Sequence, residues 1–274
     1  MIQRKGRVSW KMVPYFLTFI ALVLATGCAG VNRLREAQDA FNQAAALENA
    51  IRLDGTQSAN AAVTSLSAVR NGYTSALLSL DKIETKDIEK LKQDGLWGNV
   101  LTIKALTQWR LGLYDKSLNS AAEAKNTVPS DQILPRDRAL LEALPGLIKI
   151  DQAYSKIQTY SKIEDPHSKF EEVNILLTGD VGAIKDLDHA RKTVERDHPV
   201  QIYLIQSQLA AYRNLMDAYD KLNSGKMIPQ DYPARKAAQE QLKDLKGLLK
   251  TINSPEAERL IQFWIERVHL EVPQ

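Results

Sequence analysis

Apolar side chains in this chain recur every three or four positions for long stretches, and glycine or proline interrupts the pattern only every few helical turns. That spacing lines one face of a 3.6-residue helix, and the strict alternation that a half-buried strand requires is nearly absent. Alanine, leucine, lysine, glutamate and glutamine dominate, with only 13 glycines in 274 residues, so propensity and pattern agree. The chain reads as all-α. Its single cysteine leaves no disulfide to hold it together, so the fold must rest on apolar packing, for which 44% hydrophobic residues are ample.

The first stripe falls in residues 31–53, where Leu34, Ala37, Phe41, Ala44, Glu48 and Ile51 share one face and all but Glu48 are apolar. Asp54-Gly55 stops it. Residues 58–83 carry Ala62, Leu66, Val69, Tyr73, Leu77 and Leu80, and Asn71-Gly72 is expected to split them into two helices. A short polar helix at 86–93 ends at Gly95. Residues 96–111 and 114–127 form a pair joined at Gly112 and closed by Pro129. Residues 135–161 follow, expected to kink or break at Pro145-Gly146 because proline lacks the backbone donor. A helix at 169–177 precedes one capped by Asp180 and running to about 197. The longest clean stripe is 200–222, and 234–252 and 255–270 complete about ten antiparallel helices with short connections.

The N-terminus carries a signal of a different kind. Arg4, Lys5, Arg7 and Lys11, with no acid among them, precede the apolar run 12–25, and small residues then lead into Cys28. A positive segment, a short apolar core and a small-residue cleavage point make a secretory signal, too short for a comfortable transmembrane helix. The sequence Leu24-Ala25-Thr26-Gly27-Cys28 resembles a bacterial lipobox. The resemblance implies that residues 1–27 are removed and that Cys28 is lipidated, its acyl chains anchoring the protein in a membrane. Ala29 stands where an inner-membrane retention signal would have Asp, which implies the outer membrane and a periplasm-facing protein. Removing four basic residues and no acidic one takes the net charge from +3 to −1, so nothing in the remainder asks for nucleic acid.

Residues 98–131 resemble a tetratricopeptide repeat (TPR). Ala105 falls on the small position of its first helix, Gly112 and Tyr114 on the turn, Ser117 and Ala124 on small positions of the second helix, and Pro129 on the terminal proline. Ala37-Phe41-Ala44 and Tyr73-Ala76-Leu80-Ile83 echo the second helix upstream. Leu34, Tyr73 and Tyr114 are 39 and 41 residues apart, longer than the family's repeat of about 34. The resemblance implies antiparallel hairpins stacked as a TPR-like right-handed solenoid over residues 28–131, with residues 132–274 as further hairpins or an irregular C-terminal helical bundle. An irregular bundle of Ala-rich helices throughout is the other reading.

Chemistry is sparse. His167, His189, His198 and His269 form no ligand spacing, and Asp186, Asp188 and His189 read as a solvated face. No nucleophile elbow, Walker loop or dinucleotide fingerprint is present, so no metal, cofactor or catalytic residue is assigned and a non-enzymatic role is expected. The TPR register implies a groove at Asn99, Thr102, Leu106, Trp109 and Arg110, of which Trp and Arg are strong anchors for a partner. Trp97, Tyr114 and Trp264 read as core. The expected function is a scaffold for a protein or peptide partner in envelope assembly, secretion or transport. The rival is a small-ligand binder with an enclosed apolar pocket lined by Leu106, Trp109 and Tyr114.

Overall fold

The computed structural model describes residues 29–53, 59–159, 165–223, 228–229, 231–250 and 255–267. Among the described residues every regular element is helical: α1 (Ala29–Leu53), α2 (Ala59–Asp81), α3 (Thr85–Gln93), α4 (Trp97–Arg110), α5 (Tyr114–Thr127), a 3-10 turn (Ser130–Gln132), α6 (Pro135–Gln158), α7 (Pro166–Thr178), α8 (Ala183–Lys192), α9 (Val200–Leu222), α10 (Pro233–Leu249) and α11 (Pro255–Arg267). The protein is all-α, as its periodicity requires. Residues 1–27 and Cys28 lie outside the described residues, and no described helix is long and apolar enough to cross a membrane.

Two expected interruptions do not occur, for the same physical reason. α2 runs unbroken through Asn71-Gly72, because Gly72 serves close approach: a Cβ there would lie 2.8 Å from the Ala44 Cβ of α1. α6 likewise continues through Pro145-Gly146, and a Cβ on Gly146 would meet the Ala183 carbonyl oxygen at 2.8 Å. Turn glycines behave differently. Gly95 and Gly112 adopt φ of 68° and 76°, the left-handed region that only glycine enters cheaply, and have nothing within 4 Å of a hypothetical Cβ. Asp180 caps no helix: it pairs with Lys185, and α8 starts later, at Ala183. The cap is found instead at Asp165, whose carboxylate accepts from the His167 and Ser168 amides at the start of α7.

α1 and α2 pack along each other as one antiparallel hairpin. The echoes centred on Phe41 and Tyr73 are therefore the two arms of one hairpin, with the rings 5.3 Å apart, and not the second helices of successive repeats. α4 lies against α1, α2, α5 and α6 and is buried on nearly every side. Its pairing with α5 is tight because Ala105 and Ala124 are fully buried and the Ser117 hydroxyl donates to the Ala105 carbonyl at 2.8 Å. α6 connects the two halves, touching α4 and α5 on one side and α7, α8 and α9 on the other, while α11 returns to contact α10 and α1. One apolar cluster runs from Val31 to Ile265, so a single core underlies both the repeat-like segment and the C-terminal helices.

Candidate functional site

Glu48 is the one acid in the apolar stripe of α1, and the structure shows why the stripe tolerates it. Tyr73 of α2, buried against Phe41, donates its hydroxyl to Glu48 Oε2 at 2.6 Å. Arg110, at the end of α4, donates from Nη1 to Glu48 Oε1 at 3.0 Å, so both carboxylate oxygens are occupied. The Arg110 guanidinium also lies 4.0 Å from the centre of the Trp109 ring. Trp109 in turn donates its indole N–H to Asp151 Oδ2 of α6 at 2.7 Å. Four helices meet through five side chains.

These residues floor a cleft of about 580 Å³ that opens to solvent. Its rim comes from Leu66, Ser67 and Arg70 of α2 and from Leu111, Gly112 and Tyr114 at the α4–α5 turn. Gly112 allows that turn to be tight, with Tyr114 lining the same cleft as Trp109. Leu66 is 55% exposed, and Arg70 is exposed with no acidic partner among the described residues.

The floor is a low-dielectric place, and its titratable groups record it. Burial raises the Tyr73 hydroxyl far above its ordinary value, Glu48 adds to the rise, and Arg110 opposes it. Burial also lifts the Asp151 carboxyl above the usual carboxylate value, against the pull of Arg110 and of the Trp109 hydrogen bond. Burial alone would lower Arg110; the acids Glu48 and Asp151, with the Tyr203 and Tyr73 hydroxyls, outweigh it and hold the guanidinium charge firmly.

Of the residues the repeat register placed in a groove, two reach this cleft. Trp109 is buried at its floor with its polar edge committed to Asp151, and Arg110 keeps about a fifth of its side chain exposed. Asn99, Thr102 and Leu106 lie inside the packing of α4, where the Thr102 hydroxyl returns to the Gly98 carbonyl. They line no groove, because a helix packed against five others has no solvent face to give there. Tyr114 shares the cleft with Trp109, but Leu106 does not. Trp264 is buried as expected, and Trp97 is half-buried. Register reasoning missed Glu48, Arg70, Tyr73 and Asp151. The usable signal was Glu48 itself, a charge where the stripe wants a hydrophobe.

Elsewhere, a second cleft of about 510 Å³ lies between α8, α9 and α10 around Arg191. That guanidinium already uses four of its five N–H donors: Nε donates to Gln201, Nη1 to Gln208 and Gln241, and Nη2 to Asp244. It ties three helices together and has little left to offer a ligand. The acids of α8 are also less solvated than their sequence suggested, since Asp186 pairs with Lys149 at 2.6 Å and Asp188 accepts from Gln208. Among the described residues no group of three or more His, Cys, Asp or Glu side chains is placed to hold a metal ion.

No protein-family model, no curated protein and no solved structure matches this chain.

Proposed function

We propose that the protein is a lipid-anchored, periplasm-facing, non-catalytic helical scaffold that holds a protein partner in the cleft between α1, α2, α4 and α5. The observation that carries this reading is the contrast between floor and rim. The floor is locked by Glu48, Tyr73, Arg110, Trp109 and Asp151 through hydrogen bonds and ring stacking, whereas Leu66 and Arg70 on the rim are exposed and Tyr114, packed on the core from one side, is only half-buried. A preformed cleft loses little conformational freedom when a partner enters, so its contacts are not spent on ordering the site. Arg, Tyr and Leu at the rim offer charge, an aromatic face and apolar area together, the mixture that anchors protein interfaces.

The α4–α5 hairpin supports a TPR-like construction, with small residues at the helix contact, a glycine turn of positive φ and a proline just past the second helix. In this reading α1–α2 and α4–α5 are stacked hairpins, and the helices from α6 onward extend and close the stack. The enclosed apolar pocket of the rival reading is not favoured, because this cleft opens to solvent and Glu48, Arg70, Arg110 and Asp151 line it.

The test uses native membranes and a photo-crosslinking residue at Ser67, on the rim. One partner should be trapped by the wild-type protein and lost in Arg70→Glu and in Leu66→Ser. Both positions are exposed, so the melting midpoint should stay unchanged. A partner trapped equally by all three proteins would remove the cleft as the docking site. Substituting Trp109 or Arg110 would not serve, since both hold the floor together.

A further inference from the structure

We propose that the end of the molecule around the first turn of α1 is the surface it lays against the bilayer, and that α1 is a rigid stand-off whose length sets the cleft up to about 28 Å away from it. This rests on the lipidation of Cys28 put forward above. What the structure adds is that the chain has no slack after that residue.

α1 begins at Ala29, the very next residue. Its first turn is clamped from the outset: a Cβ on Gly30 would lie 2.8 Å from the Asp87 Cβ and 3.1 Å from Leu91 Cδ1, both on α3. Val31 and Leu34 are already core. An acylated Cys28 would therefore be joined to a packed body across a single Cα–Cα step of about 3.8 Å. Acyl chains seat in the hydrocarbon, so the residue carrying them sits at headgroup level. Whatever surrounds the first turn of α1 must then sit there too.

That surround is defined. α3 covers the first turn, the turn at Gly95 leads into α4, and the segment 128–133 packs beneath Gly98, with the Gln132 carbonyl oxygen 3.0 Å from a hypothetical Cβ there. Its solvent face alternates in sign: Lys82, Lys86, Lys90 and Lys92 stand among Glu84, Glu89 and Asp94, all exposed, with Lys86–Glu84 and Lys92–Glu89 as ion pairs. Half-buried Trp97 and exposed Leu134 complete it. A mixed-charge surface with an aromatic at its edge matches a zwitterionic headgroup layer, which carries both signs at the same depth.

The cleft is at the opposite pole. Glu48 lies nineteen residues beyond Ala29 on an unbroken helix, about 28 Å at 1.5 Å per residue. α4 agrees, since it starts at Trp97 beside α3 and ends at Arg110 on Glu48. The cleft thus faces the aqueous compartment, toward a partner that does not lie in the same bilayer surface.

The experiment uses the processed protein, acylated at Cys28, in phosphatidylethanolamine vesicles that carry gadolinium chelated on a lipid headgroup. A nitroxide is placed at Lys90→Cys or at Leu66→Cys; with Cys28 acylated, the introduced thiol is the only one in the chain. Gadolinium relaxation enhancement should be several-fold stronger at position 90 than at 66. Equal enhancement, or a stronger effect at 66, overturns the orientation. A flexible Gly-Ser insert between Cys28 and Ala29 should keep the protein on the vesicles and erase most of the contrast. A contrast unchanged by the insert shows that the short tether does not set the orientation, and overturns the stand-off. Failure of the anchor has its own signature, a free Cys28 thiol by mass spectrometry and protein left off the vesicles, which removes the lipid-anchor reading and this orientation together.

Discussion

Arg110 stacks its guanidinium over the ring of Trp109, its immediate neighbour in sequence, at 4.0 Å. Side chains at i and i+1 do not ordinarily face each other on a helix, and here the guanidinium that lies over Trp109 is also held by Glu48 of α1. Adjacent residues at the end of α4 thereby tie it to two different helices, Arg110 to α1 and Trp109 to α6. Arg110→Met keeps the stem and removes the donors. It leaves Glu48 half-paired beside the Tyr73 hydroxyl, and the expected loss in a denaturant titration is roughly 1.5–3 kcal/mol. Arg110→Lys should recover part of that loss, because an ammonium reaches the acid but cannot stack as a plane.

Trp109→Phe retains the ring and strips one hydrogen bond from Asp151. The carboxylate then loses its donor while still largely enclosed, which should cost about 1–3 kcal/mol. Adding Asp151→Asn should return part of it, so the two substitutions together cost less than their separate costs combined. Strict additivity in a double-mutant cycle would show that Trp109 and Asp151 do not act through each other.

Asp137 at the start of α6 is 2% exposed and is held above the ordinary carboxylate value of 3.8, mainly by burial, with its Arg136 partner pulling the other way. Asp151 is shifted in the same direction. A carboxyl whose folded pKa lies above its unfolded one binds more protons when folded. Between the two values stability therefore falls as pH rises, and the penalty is complete above the folded value. Unfolding titrations from pH 3.8 upward should show this fall, and Asp137→Asn should flatten it. A slope unchanged in that variant would mean that the Asp137 carboxyl is not the group responsible.

Two glycines should respond to alanine with opposite signs. Gly72→Ala forces a methyl to 2.8 Å from the Ala44 methyl across the α1–α2 hairpin and should lose about 1–3 kcal/mol. Gly247→Ala in α10 meets nothing within 4 Å and should gain about 0.5–1 kcal/mol from helix propensity alone. Thermal midpoints of the two variants check both, and a rise for Gly72→Ala would contradict the close helix contact.

Helix stripes were legible in the sequence, whereas the role of Gly72 was not. Leu34, Ala37, Phe41 and Ala44 are buried as their spacing requires, and 200–222 matches α9 from end to end, because a stripe is a local property of one helix. Whether a glycine makes a turn or a contact is not local. Gly112 and Gly72 look alike in sequence, and only the neighbouring helix tells them apart. The site repeats the lesson. Residue type and register point to Trp109 and Arg110, but their partners sit 42 and 62 residues away, on helices whose placement no pattern in α4 encodes. Asn99 and Thr102 misled because polarity within a surrounded helix can be satisfied internally, as Thr102 does through Gly98.

α1 is packed from its first turn at Gly30 to Glu48 at the cleft, with α2 antiparallel along it. A mechanical pull directed along the axis of that helix from its start at Ala29 is resisted by the whole length of that packing. It loads the α1–α2 seam in shear, so that contacts such as Ala44–Gly72 and Phe41–Tyr73 must yield together and cannot peel one by one. The geometry that sets the helix in place also makes its clamped first turn a strong point from which to hang the rest of the molecule.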